Sequence, residues 1–363
     1  MSPPRDSARV ALVGYGMGGS VFHAPFIDAE PRLELVSVVT GNPERRAAVL
    51  ARYPGVRVER EVEALLGRLD NIDLVVVTTP NASHAAVAAA VLSRGRPVVV
   101  DKPVTPTSAE TRQLRALAGS NGTAVVPFQN RRWDGDFRTV VDLLGRDALG
   151  TLHTFESRYE RWQPKVSPRA WKNDPEPGSG TGILYDLGTH LIDQAVALFG
   201  GPESVYADIA VRRADSRVDD DVFVALGYPG GPRVHLWMSA VAPDLGPRFR
   251  LLGDAAAYVK RGMDVQEALL VEGQSPRQPG WGEEPESSWG EVVVGAERRP
   301  VPTLPGAYGL FYAGMASFLL DGAPPPVDID DAVLTAGIIE AAQASARAGA
   351  VESLPQAARD SEP

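Results

Sequence analysis

Cysteine is absent from this 363-residue chain. That excludes disulfides, thiolate nucleophiles, Fe–S clusters and every zinc site that needs sulfur. Histidine is scarce as well. His23, His84, His153, His190 and His235 are the full set, and none forms an HExxH pair or another close ligand spacing. No metal is expected. Basic charge is in deficit: 36 lysines and arginines face 46 acids, for a net charge of −10. A nucleic-acid reader normally carries a basic domain, so that class is disfavoured. No run approaches ~18 uninterrupted apolar residues, so no membrane span is expected. The opening MSPPRDSARVALVGYG passes from a polar tail into a strand, without the apolar core and cleavage site of a signal peptide. Cytoplasmic residence is the default expectation.

What is present suits a folded globule, at 44% hydrophobic residues. The length exceeds one ordinary core, since single cores stop growing near ~250–300 residues. Two domains are expected. The first third alternates apolar β-branched runs (9–13, 33–40, 56–58, 72–78, 97–100, 124–127) with helical stretches (17–29, 44–53, 83–94, 108–118). The run 72–78 is almost continuously apolar, as a parallel strand covered on both faces should be. This predicts a doubly wound parallel α/β sheet of the Rossmann type over residues 1–128. After 128 the pattern becomes a helix at 134–144, a strand at 152–160, a helix at 183–199 and strands at 204–211, 222–227, 233–240, 249–252 and 257–259. Strands joined by turns such as Pro229-Gly230-Gly231-Pro232 predict an α+β domain over 129–363, with a large open, mainly antiparallel sheet. Residues 273–305 read as a mobile loop or an extended arm; Trp281 and Trp289 favour a packed arm. Helices at 308–320 and 332–348 are expected to close the second domain.

Gly14-Tyr15-Gly16-Met17-Gly18-Gly19 fits GxGxxG. The bare pattern is unspecific, but here it follows the first strand and opens the first helix. Gly14 would make the tight turn, Gly16 would admit a pyrophosphate and Gly19 would let helix and strand pack closely. An NAD site usually ends its second strand with an acid on the ribose 2′-hydroxyl. Here that strand ends Val39-Thr40-Gly41-Asn42, followed by Arg45 and Arg46. A missing carboxylate beside guanidiniums suits a 2′-phosphate, so NADP is expected over NAD. The alternative is that both arginines merely solvate a helix face. Thr78-Thr79-Pro80-Asn81-Ala82-Ser83-His84 and Asp101-Lys102-Pro103 lie at carboxyl ends of strands, where open α/β sheets bind ligands. Asp186 and His190 are spaced i, i+4, with Asp193 next on that stripe and Leu184, Leu187, Leu191 and Leu198 towards the other side. A carboxylate that orients a histidine is what a proton-transfer site needs, though a solvated helix face reads the same way.

These residues resemble the glucose–fructose oxidoreductase / inositol dehydrogenase / rhizopine-catabolism (Gfo/Idh/MocA) family of nicotinamide-dependent oxidoreductases, from about residue 8 to 354. The carriers are VGYGMGGSVFHAPFI (13–27), TTPNASH (78–84), DKP (101–103), GSGTGILYDLGTHLIDQAVALFG (178–200), KRGMDVQEALL (260–270) and PVDIDDAVLTAGIIEAAQASARAG (326–349). VFHAPFI and YDLGTHLIDQ look most like the NADP-preferring, scyllo-inositol-dehydrogenase-like branch. The family's glutamate–lysine–proline triplet stands here as Asp101-Lys102-Pro103, with a shorter acid.

The resemblance implies a cofactor site of Gly14, Gly16, Met17, Gly18, Gly19, Thr40, Asn42, Arg45, Arg46, Thr78, Thr79, Pro80, Asn81, His84, Asp101 and Lys102. It implies catalysis by Lys102, Asp186 and His190, a cis bond before Pro103, and hydride transfer at a secondary alcohol of a sugar or inositol. Arg131, Tyr159, Trp162, Trp171 and Lys172 join Lys102, Asp186 and His190 as candidate substrate contacts, since aromatic faces plus donors suit a polyhydroxylated ring; each tryptophan can equally be packing. That branch is also similar to a galactose-sensing regulator, so a non-catalytic NADP-binding sensor is the alternative. The family also implies a homodimer or homotetramer through the second sheet, whose open face would otherwise be exposed.

Overall fold

The computed structural model describes residues 6–166 and 179–354. Its first sheet is parallel throughout. It contains β1 (Ala8–Val13), β2 (Leu33–Val39), β3 (Arg57–Glu59), β4 (Leu74–Val77), β5 (Val98–Val100) and β6 (Val125–Pro127), in the spatial order β3-β2-β1-β4-β5-β6. Side chains alternate across each strand, and here both faces are apolar. Val10, Leu12, Leu74 and Val76 pack to one side with α1 (Ala24–Ala29) and α9 (Gly309–Asp321). Ala11, Val13, Val75 and Val77 pack to the other with α4 (His84–Leu92) and α5 (Ser108–Ser120). The strand order reverses between β1 and β4, which opens a crevice at their carboxyl ends.

The helix α9 departs from the sequence expectation. It was expected to close the second domain, yet Phe311, Tyr312, Met315 and Ala316 lie in the core of the parallel sheet. The chain therefore returns to its first sheet near its end. The helix α10 (Ile329–Ala348) then spans both parts. Ala332 joins the first core, and Ile338, Ile339 and Ala342 join the second.

The second sheet has nine strands, in the order β14-β13-β12-β11-β7-β10-β9-β8-β15. They are β7 (Leu152–Glu160), β8 (Ser204–Ala210), β9 (Asp221–Gly227), β10 (Arg233–Ser239), β11 (Phe249–Gly253), β12 (Ala257–Lys260), β13 (Gly290–Val294), β14 (Glu297–Val301) and β15 (Glu352–Ser353). All neighbours are antiparallel except β7 and β10. One face carries Phe155, Val222, Val224, Leu236 and Leu251 into a core shared with α6 (Gly135–Gly145) and α7 (Thr189–Phe199). Among the described residues, no helix is long and apolar enough to cross a membrane.

Part of the segment expected to be a loop or arm, 273–305, is the hairpin β13–β14 at the sheet's edge. Trp281 anchors the residues before it, by an edge-on contact with Phe26 and a 3.2 Å hydrogen bond from its Nε1 to Gln266 Oε1.

Candidate active site

A cavity of about 1280 Å³ lies between the carboxyl ends of the parallel strands and the turns that lead into α7. Its first wall is backbone. Gly14 ends β1 at φ +100°, where an added Cβ would come within 2.8 Å of the Thr78 carbonyl oxygen. At Gly19 a Cβ would run into the Gly14 carbonyl itself. Gly16 is the opposite case. The nearest atom to a Cβ there is Arg45 Nη1, 3.8 Å away, so the chain at Gly16 is open to the cavity. Two glycines thus allow the turn to close, and one leaves room for a group to approach the backbone. A wide π-helical turn, Gly18–His23, follows and runs straight into α1. The start of a helix facing an open cavity is the geometry a pyrophosphate requires. On these observations the residues fit a dinucleotide.

Further along this wall lie Thr40, Asn42, Arg45, Arg60 and Glu61. Asn42 Oδ1 caps α2 (Pro43–Arg52) by accepting from the Arg45 N–H at 2.9 Å. Arg45 borders the cavity; Arg46 does not, and Arg60 takes the second place. Successive residues on a helix point about 100° apart, which is why both arginines of the pair cannot serve one pocket.

The loops after β4 and β5 are fastened together. The His84 ring lies 2.9 Å from the Pro103 carbonyl oxygen through Nδ1, and 2.8 Å from that of Thr79 through Nε2. Asn81 Nδ2 donates to the Gly180 carbonyl at 2.8 Å, tying the same loop to the opposite wall. Thr78, Thr79, Pro80, Asn81, His84 and Asp101 all border the cavity, as do Met17 and Gly18. Asp101 Oδ1 accepts from the Lys102 N–H at 2.8 Å, and Oδ2 lies 3.5 Å from buried His23 Nε2. Burial pushes the Asp101 carboxyl up; the close approach of His23 and nearby positive charge outweigh it and hold it below its ordinary value.

The second wall is charged side chains. The Lys102–Pro103 peptide bond is cis. Lys102 Nζ donates to the Asp186 carbonyl at 2.5 Å and to its Oδ1 at 2.9 Å. Asp186 sits in a second π-helical turn, Leu184–Gly188, just before α7. His190 follows on α7, buried, and its Nδ1 has no hydrogen-bond partner among the described residues. The carboxylate of Asp186 therefore engages the ammonium rather than that ring nitrogen, as expected when a full charge competes with a neutral donor. Burial, and then the Lys102 and Arg131 charges, push the His190 pKa well below its ordinary value, while Asp186 opposes them. His190 is uncharged at neutral pH.

Asp193, on the same stripe, has a different task. It is buried and paired with Arg132 at 2.8 and 2.7 Å, and Arg132 also reaches Asp331 at 2.8 Å. That ion pair holds α7 to α10.

Arg131 borders the cavity, with Nη2 donating to Tyr159 Oη at 2.6 Å and to Glu267, and Nη1 to Asp134 at 3.2 Å. Tyr159 borders it too, whereas Trp162 is 57% exposed and does not. Trp171 and Lys172 lie outside the described residues. Sequence reading missed Arg60, Arg161 and Glu267 as cavity residues. Glu267 belongs to the quoted run KRGMDVQEALL; Arg161 follows β7 directly, a strand end like those that placed Thr78 and Lys102.

A dinucleotide cleft that shares one cavity with a lysine, a carboxylate and an uncharged histidine defines a nicotinamide-dependent dehydrogenase. Comparison with known proteins agrees. Residues 8–128 match the oxidoreductase family's NAD-binding Rossmann fold, and residues 137–259 match the GFO/IDH/MocA C-terminal domain. The chain belongs to the Gfo/Idh/MocA family of NAD(P)-dependent oxidoreductases. It is 32% identical to the scyllo-inositol 2-dehydrogenase (NADP(+)) of Bacillus subtilis (strain 168), over 94% of both chains. It is 39% identical to an uncharacterized oxidoreductase of Escherichia coli (strain K12), over 94% of this chain and 97% of that one. A crystal structure of an oxidoreductase from Bacillus cereus superposes with a TM-score of 0.87 at 28% identity, covering 96% of this chain and 99% of that one.

Proposed function

We propose that the protein transfers a hydride between NADP and a secondary hydroxyl or ketone of a sugar or cyclitol. The observation that carries this is the meeting of Lys102, Asp186 and His190 on the wall that faces the glycine turn. The bound nicotinamide supplies the hydride acceptor or donor. The Gly14–Gly19 turn holds the pyrophosphate, and Thr78, Thr79, Pro80, Asn81 and His84 shape the floor beside it. Arg45 and Arg60 face the ribose end with no carboxylate at the end of β2, which supports a 2′-phosphate. In oxidation, Lys102 stabilises the negative charge that develops on the substrate oxygen, an interaction realised chiefly in the transition state. His190, uncharged, accepts the hydroxyl proton. Asp186 then has two effects: it orients the ammonium, and its charge favours the imidazolium that forms. Arg131 and Tyr159 contact the ring.

The test is reduction of NADP⁺ and NAD⁺, followed at 340 nm, across a panel of inositols, aldoses and their acids. Turnover of at least one polyol with NADP⁺ preferred is the expected outcome. Cofactor binding without turnover of any of them would replace this reading with that of a sensor.

Assembly through the nine-stranded sheet belongs to the same proposal. Its outer face carries Phe223, His235 and Trp237 in mutual contact at 5.2–5.8 Å, with the Arg158 guanidinium 3.8 Å over Trp237. An aromatic patch of this kind favours a second copy. Sedimentation at micromolar concentration should give a dimer or tetramer; a monomer would refute it.

A further inference from the structure

Arginines beside the cavity fall into two sets. In a chain with a net charge of −10, acids are not scarce, and two of the five described guanidiniums that border the cavity hold one. Arg131 pairs with Asp134 and Glu267, and Arg213 with Asp220 at 2.8 Å. Lys102 pairs with Asp186. Arg161 does not follow this pattern. Its hydrogen bond runs from Nη2 to Tyr159 Oη at 2.9 Å, and its guanidinium carbon stands 4.8 Å from the centre of that ring. Asp186 and Glu267 act on it through space, but no described carboxylate is within ion-pair distance. It is half-buried and borders the same cavity as Lys102 and His190. Other bordering guanidiniums without such a partner are Arg45 and Arg60, at the end where a phosphate is expected.

A fork of donors, oriented by an aromatic ring and left without a direct ion-pair partner in a partly desolvated pocket, suits an anion. A neutral polyol would leave that fork without a charged group in direct contact. We infer that Arg161 anchors an anionic substituent, carboxylate or phosphate, of the substrate, so that the preferred polyol is acidic. This rests on the dehydrogenase reading above and narrows its substrate class.

One scaffold in three forms provides the probes: galactose, galacturonate and galactose 6-phosphate. Their binding to the NADP⁺-loaded protein is measured by calorimetry, and their oxidation at 340 nm. At least one anion should bind ~10-fold or more tightly than galactose, and Arg161→Ala should weaken that anion ~10²-fold while changing galactose little. Which anion gains identifies the group. Arg161→Lys, which keeps the charge but loses the fork, should fall between, and matching thermal melts check that the variants fold. If neither anion binds more tightly than galactose, or if Arg161→Ala weakens all three alike, the inference is overturned. Anion binding that depends on Arg161 without turnover would keep the inference and refute hydride transfer on this scaffold.

Discussion

The two walls of the cavity hold their ligands by different physics. On the wall built by β1 and the turn after it, recognition is backbone: the chain is shaped by where a Cβ cannot go, at Gly14 and Gly19, and by where its absence leaves room, at Gly16. On the wall built by the turn before α7, recognition is charge: Lys102 on Asp186, Arg131 on Glu267 and Tyr159, and His190 kept neutral among them. The first wall depends on shape and tolerates no added atom at Gly14 or Gly19. The second depends on balance, and one substitution resets its neighbours. Changes in the first should therefore move stability and cofactor affinity together, and changes in the second should move turnover or substrate binding while sparing the cofactor.

The sharpest separation is Lys102→Ala. Loss of a preorganised charge at the reacting oxygen costs about 10²–10³-fold in turnover. Cofactor affinity, measured by fluorescence titration, should barely change, because the Gly14–Gly19 turn is untouched. Equal losses in both would show that the lysine only binds, and would erase the distinction between the walls.

Gly19→Ala attacks the other side. Its Cβ meets the Gly14 carbonyl, which is backbone and cannot rotate away. Overpacking of this kind costs about 1–3 kcal/mol. The thermal midpoint should fall and cofactor affinity should fall with it. A variant with an unchanged melt and unchanged affinity would mean that the turn is looser than its geometry indicates.

The same contrast governs what sequence alone could reveal. The glycine turn was legible because its constraint is local: four glycines within six residues, after a buried strand. Thr78–His84 and Asp101–Pro103 were legible because they end strands of the same sheet. The charged wall was only half legible. Lys102 and Asp186 are 84 residues apart, and Arg131 and Glu267 are 136 apart. Such partners meet only once the fold exists, so the spacing of Asp186 and His190 suggested a pair where the structure puts the carboxylate on lysine. The placement of α9 was hidden for a related reason. An apolar helix announces that it will be buried, not which sheet will bury it, and chain order pointed to the wrong one. In β13–β14, Gly290, Pro300 and a run of charges obscure strands that lie at an edge, where proline and charge are tolerated.

Asp186→Asn produces the smallest change, and its direction is the most informative. His190 must be uncharged to accept a proton, so oxidation fails as pH falls through its pKa. Burial, Lys102 and Arg131 hold that pKa well below its ordinary value, and Asp186 is the group pulling it back up. The acid limb of kcat/KM for oxidation should therefore lie below pH 6.5 in the parent protein. Asparagine keeps the shape and removes the charge. It withdraws the upward pull on His190 and leaves Lys102 uncompensated, which repels a proton on the ring further. The limb should move to still lower pH, while the plateau drops by ~10-fold or more, because the imidazolium that forms has lost its counter-charge. A limb that moved up towards pH 6.5 would mean that the carboxylate acts on another group, and that the charged wall is not the coupled unit its distances describe.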